Sequence, residues 1–196
     1  NVAAQGGVLY AGSGTLGLRV IDISTPGSPQ VVATLWANPY EPGAGALRSV
    51  QAVSVAGDRG CFTEYLTWMD EWFQTWNRYT VRCFELTDPL APVIGGGCGQ
   101  SEQSSSAGDI GARGTVVDGQ VTAAIRQATA GRLEIYDLAN PAAPALLAQH
   151  TCLAGPYQVA REGDVAITGA GTAGVEVRSL SDAGALSFVE SRRDVG

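Results

Sequence analysis

The chain has 196 residues, 45% of them hydrophobic, with 19 acidic against 12 basic side chains and a formal charge of −7. That composition supports a folded domain with a core, and with no basic cluster it argues against a nucleic-acid or anionic-membrane partner. No apolar run is long enough for a helical membrane span, and four scattered cysteines (Cys61, Cys83, Cys98, Cys152) with one histidine give no metal-binding spacing.

From Asn1 the chain enters a strand at once, which suggests a piece of a longer polypeptide. "VAAQGGVLYAG" reads as a hairpin, because paired glycines supply the positive φ that a tight loop needs. "GLRVIDISTPGSP" (17–29) is a third strand running into a turn, and "QVVATLW" a fourth. After a connection over 36–49, the same order recurs: hairpin "AVSVAGDRGCFTEY", strand and turn "TVRCFELTDPLAP" (80–92), final run "PVIGGGCG". A connection over 98–112 leads to "GTVVDGQVTAAI", "RLEIYDLANPAAP" (132–144) and "ALLAQHTC", then to "YQVAREGDVAIT", "GVEVRSLSDAGAL" (174–186) and "LSFVESR".

Anchored on Pro26, Pro89, Pro141 and Ala183, the spacings are 63, 52 and 42 residues, a unit near 42 with about 21 and 10 residues added. Four units of four strands predict an all-β fold, with units at 1–35, 48–98, 112–152 and 156–193 and inserts at 66–77 and 98–112. Leu18 and Val20 on one side of the third strand and Ile21 and Ile23 on the other predict sheets covered on both faces, as in a β-propeller of four antiparallel four-stranded blades. "GSGTLG" and "GAGTAG" lie between strands without a following helix or Lys, so they read as turns and not as phosphate loops. Asp22, Glu85 and Asp137 recur at one position, where hydrogen bonding to the following turn is favoured over calcium.

"LRVIDISTPGSP" resembles the LVIVD-repeat β-propellers of bacterial secreted and surface proteins, whose repeat ends in a strand of the type G-L-x-V-x-D-[IVL]-S-x-P-x-x-P. The second unit has Glu85 at the Asp position, the third keeps Asp137, Pro141 and Pro144, and the fourth has Ser179 and Ala183 and loses both prolines. The resemblance implies a propeller, an extracellular, cell-surface or periplasmic setting, and no shared catalytic motif. It leaves two architectures, a four-bladed ring or, in preference, part of a larger one.

The second unit holds the feature that needs a function. "LTWMDEWFQTWN" (66–77) carries Trp68, Trp72 and Trp76 four residues apart, with Met69 and Phe73, a spacing that on a helix forms one stripe. A short helical or looped protrusion is expected, either covering neighbouring loops or presenting an apolar surface to a protein partner, with Trp36 and Tyr40 in the adjoining connection. Stacking of a carbohydrate on these rings is the second reading. The third is a glycoside hydrolase or lyase with carboxylates drawn from Glu41, Glu64, Asp70 and Glu71. His150 reads as a solvated strand residue, and no catalytic residue, cofactor or metal is expected. Aligned units put Cys61 and Cys83 at the positions of Val8 and Val20, and Tyr10 opposite Leu18 implies Cys61 opposite Cys83. A disulfide between them is expected to close the stem of the insert, as against four buried thiols, while Cys98 and Cys152 are not expected to pair with each other.

Overall fold

The computed structural model describes residues 1–36, 46–104, 110–127, 130–169, 174–180 and 186–192, which form strands and turns and no helix. The strands build four antiparallel sheets, each ordered as in the chain. The first sheet holds β1 (Val2–Gln5), β2 (Val8–Gly12), β3 (Leu18–Asp22) and β4 (Gln30–Leu35). The second holds β5 (Leu47–Ala56), β6 (Arg59–Met69), β7 (Thr75–Glu85) and β8 (Val93–Ser104). β9 (Gly111–Val117), β10 (Gln120–Gln127), β11 (Ala130–Asp137) and β12 (Ala145–Cys152) form the third, and β13 (Gln158–Glu162), β14 (Val165–Gly169), β15 (Val175–Leu180) and β16 (Leu186–Arg192) the fourth.

Local chemistry explains the turns. Asp118 and Gly119 both take positive φ (50° and 73°), the backbone of a two-residue hairpin loop matched to strand twist. After β3 and β11 the aspartate at the end of the strand caps the turn: the Ser24 N–H donates to Asp22 Oδ1 at 2.8 Å and the Ala139 N–H to Asp137 Oδ1 at 3.0 Å. Glu85, one methylene longer, accepts instead from the Thr87 hydroxyl at 2.6 Å. These recurring carboxylates are thus engaged by their own turns.

Consecutive sheets pack face to face. β5 lies against β1 and β2, β9 against β5, β6 and β7, and β13 against β9 and β10; no comparable contact joins the first sheet to the fourth among the described residues. Strand alternation divides each second strand between two interfaces. Phe62 of β6 and Phe84 of β7 meet Tyr10, Leu18 and Val20 of the first sheet, with ring centroids 6.0 Å apart for Tyr10 and Phe84. Cys61, Val81, Cys83 and Cys98 meet Ala112, Val116, Val121, Ala123 and Ile125 of the third. Leu133, Ile135 and Ala124 then meet Ala166 and Leu180 of the fourth. Close approach demands glycine at two points: a Cβ on Gly60 would enter the Phe84 ring, and one on Gly95 would overlap the Pro141 carbonyl oxygen.

The expected Cys61–Cys83 disulfide is not formed. Cys61 does stand opposite Cys83 in the β6–β7 ladder, although in the first sheet Tyr10 faces Val20 and not Leu18. The disulfide joins Cys83 to Cys98, 15 residues apart, and Cys61 and Cys152 are buried free thiols. The reason lies on the other side of Cys83. Irregularities in the β7–β8 pairing on either side of Arg82 bring Cys98 to a Cα–Cα distance of 6.5 Å, within disulfide range. Cys61 instead turns its sulfur toward Gly114 of the third sheet, and burial pushes its thiol up to about 12.

Peptide mapping without reduction is expected to return Cys83 linked to Cys98, with Cys61 alkylated only in denaturant. Closing a loop of this length stabilises by about 3 kcal/mol, so Cys98→Ser is expected to lower the melting temperature by roughly 6 to 12 °C for a chain of this size. A Cys61–Cys83 peptide would contradict this assignment.

Candidate binding surface

The second sheet is the long one. Its strands run 10 to 12 residues where those of the first run 4 to 6. The residues expected to be an insert at 66–77 are the outer end of its central hairpin, and those from Cys98 to Ser104, expected to be a connection, continue β8. The helical or looped reading of the Trp segment is therefore corrected. β6 and β7 remain paired out to Trp68 opposite Trp76 and Met69 opposite Thr75, and β8 follows as far as Ser104 opposite Trp76. Four-residue spacing arises because a residue at the turn, Trp72, lies midway between two cross-strand partners. Aromatic and β-branched residues favour this extended pairing.

Asp70 builds the turn. Its Oδ1 accepts from the N–H groups of Trp72 (3.0 Å) and Gln74 (2.8 Å), and its Oδ2 from the Trp76 indole N–H at 2.8 Å. The Asp70 N–H donates to the Gln74 carbonyl at 3.0 Å, and Phe73 takes φ 60° to close the loop. Desolvation pushes the Asp70 carboxyl up, but the bonds from Trp76, Gln74 and Trp72 outweigh it, and the net shift is below the ordinary carboxylate value.

Behind the turn the indoles of Trp68 and Trp76 stack with centroids 6.3 Å apart and planes 17° from parallel. The Arg78 guanidinium lies 5.0 Å from the Trp68 ring centre while its Nε donates to Glu102 at 2.6 Å. Further back, Tyr65 and Tyr79 pack at 4.7 Å, and the Tyr65 hydroxyl lies 2.7 Å from Asn77 Oδ1. Both sides of the hairpin are thus braced, yet its tip is uncovered: Trp72 is 73% exposed, Phe73 84% and Met69 49%.

Of the other residues singled out in the sequence, Trp36 is half-buried against Gly17 in the first sheet, with no ring contact to the hairpin among the described residues. Tyr40, Glu41 and most of "GAGTAG" lie outside the described residues. Glu64 is buried between Arg48 and Arg82, each at 3.1 Å, and Asp70, six residues along the same extended hairpin and so about 20 Å away, is held by the turn. Those two carboxylates do not face each other at the spacing that glycoside chemistry needs. His150, half-buried on β12, has its pKa lowered by burial and by the nearby Arg178, with Glu176 opposing. Sequence reasoning missed the part played by Asp70. The signal was an aspartate directly after a strand, four residues before the partner whose N–H it caps.

No protein-family model matches the chain, and no curated protein matches it in sequence. Among solved structures, the computationally designed Ika8 protein is similar to 97% of the chain with a TM-score of 0.59 at 11% identity. That match covers 48% of Ika8, so the chain spans about half the length of this relative in structure. A structure from a study of two prolyl endopeptidases is aligned over 100% of the chain and 42% of its own, at 11% identity and a TM-score of 0.31, too low to carry weight. The likeness to Ika8 concerns the fold alone.

Asp70 has a lowered carboxyl in the folded hairpin, so its contribution is complete above the ordinary value of 3.8 and is lost as pH falls through the lowered one. The far-UV exciton couplet of the stacked Trp68–Trp76 pair is therefore expected to persist at neutral pH and to fade only as the pH falls below the ordinary value of 3.8. Asp70→Ala is expected to weaken it already at pH 7 with the melting temperature almost unchanged. A full signal in Asp70→Ala would contradict this role.

Proposed function

We propose that the four sheets are consecutive blades of a β-propeller of the LVIVD-repeat kind, and that the protein is a non-catalytic interaction scaffold whose Trp hairpin contacts a protein partner or a neighbouring copy. Support for the architecture comes from the serial face-to-face packing and from irregularities at one place in each unit, beside Val20, Cys83, Ile135 and Val177. Among the described residues nothing covers the outward faces of the first and fourth sheets, which expose Val2 on one and Val165, Ile167 and Val175 on the other. That favours a stack continued by further sheets over a closed ring of four. A disulfide supports an extracellular, cell-surface or periplasmic setting.

The observation that carries the functional reading is the exposure of Trp72 and Phe73 on a tip braced by Asp70 and by the Trp68–Trp76 stack. Large aromatics held in place lose little entropy on binding, and such residues dominate interface hot spots at about 2 kcal/mol or more each. Neither side chain contributes to a core cluster. An exposed indole also suits carbohydrate stacking, which a glycan array separates from protein binding.

Replacing Trp72 and Phe73 together by Ser is expected to leave the melting temperature within about 2 °C while weakening association at least ~30-fold, read by sedimentation for self-association and by titration for an isolated partner. A large fall in melting temperature with association untouched would make the tip a local core and overturn the reading.

A further inference from the structure

Strand register repeats from sheet to sheet, so positions in the four sheets correspond. Tyr10 opposite Val20, Cys61 opposite Cys83, Thr122 opposite Ile135 and Ile167 opposite Val177 stand at one level, each pair beside the irregularity of its sheet. Leu18, Val81, Leu133 and Val175 lie two residues earlier on the same face. In the first three sheets that face meets the next sheet, and Tyr10, Leu18, Val81, Cys83, Leu133 and Ile135 are fully buried on it. In the fourth sheet the same positions hold Ile167 and Val175, 42% and 41% exposed, with Val165 beside them at 41%. This face is built like the other three and lacks its cover among the described residues.

The opposite face of each later sheet meets the sheet before it, through Phe62 and Phe84 in the second, Val121 and Ala123 in the third and Ala166 in the fourth. Their counterparts in the first sheet, Leu9, Ala11 and Ile21, are only half-buried. Arg19 shares this face, and its Nε is buried with no hydrogen-bond partner among the described residues. The charged residues at its level, Arg82, Glu134 and Glu176, are each ion-paired within their own sheets. A buried N–H without an acceptor is costly, and a covering sheet can supply one.

The two ends of the stack are thus unlike and complementary, one lacking a following sheet and the other a preceding one. A chain that matches 48% of the Ika8 fold leaves about half of that fold to be supplied. Two copies of a four-sheet chain supply eight sheets, within the span of about four to eight blades that propellers have.

We infer that the first sheet of one copy of this chain packs on the fourth sheet of a second copy, and the reverse, closing a ring of two copies. Each contact is head to tail, and a two-fold axis relates the two. The inference rests on the propeller reading and names what continues the stack.

Sedimentation equilibrium of the full chain decides it, with a dimer of Kd about 10 μM or tighter expected. Leu9→Asp on one face and Ile167→Asp on the other are each expected to weaken the dimer at least ~30-fold. An equimolar mixture of the two is expected to recover a dimer, because pairing them leaves one of the two contacts unaltered. Replacing Trp72 and Phe73 by Ser removes association of one ring with another and is expected to keep the dimer itself. If either Asp variant does not melt cooperatively, Val2→Asp and Val165→Asp, at exposed positions on the same two faces, carry the test. A chain that stays monomeric up to about 100 μM overturns the inference and leaves both faces to other sheets. A dimer that survives both Asp variants, or a mixture that stays monomeric, overturns it as well. The propeller reading is judged separately by small-angle scattering of monomeric Ile167→Asp, which is expected to fit an open arc of four sheets.

Discussion

The second sheet is buried on both faces, and most of the structure follows from that constraint. A strand covered on one side can alternate apolar with polar residues, but β6 and β7 must supply packing in both directions: Phe62 and Phe84 toward the first sheet, Cys61, Val81 and Cys83 toward the third. Burying each such side chain is worth roughly 1.5 to 3 kcal/mol, so the alternation locks the register, since a slip by one residue would exchange the two faces. Sheet-to-sheet closeness explains the glycine at 95, where a side chain would collide with the Pro141 turn of the neighbouring sheet, and within the second sheet the glycine at 60 makes room for the ring of its cross-strand partner Phe84.

Several buried polar groups tie the stack together. Glu64, buried beside the aromatic interface, sits between Arg48 and Arg82, and Thr63 on the opposite face donates to the Ala112 carbonyl of the third sheet at 3.2 Å. The Tyr10 hydroxyl crosses the first interface to the Pro89 carbonyl at 2.9 Å. Such bonds orient one sheet on the next, because leaving any of these groups buried and unmatched costs more than the bond contributes. A hairpin rooted in a base fixed on both sides can project beyond its neighbours and still hold one conformation, which is the property that a contact surface needs.

Much of the fold was legible in the sequence. Asp118-Gly119 and Gly6-Gly7 marked tight turns through their backbone preference, and the repeated strand before each proline marked the third strand of a unit. Cys61 opposite Cys83 was expected from the aligned units, although the pairing that expectation used, Tyr10 opposite Leu18, is not the one formed; the turn at residues 70–74 sets the β6–β7 register. The disulfide was not legible, because it depends on the β7–β8 irregularities that bring Cys98 alongside Cys83, and such a shift leaves no composition signal. The Trp segment was misleading for a related reason. A period of four satisfies a helical stripe and also a five-residue turn flanked by opposed tryptophans, and only the hydrogen bonds of Asp70 distinguish them.

Hydroxyl-radical footprinting of Trp68, Met69, Trp72, Phe73 and Trp76, run in parallel on the purified chain and on intact cells producing the protein, tests the central claim most directly. The account predicts rapid oxidation of Trp72 and Phe73 in the purified chain, slower oxidation of the stacked Trp68 and Trp76, and strong protection of the tip in the cellular setting. Slow oxidation of Trp72 and Phe73 in the purified chain, or equal oxidation in both settings, would contradict it.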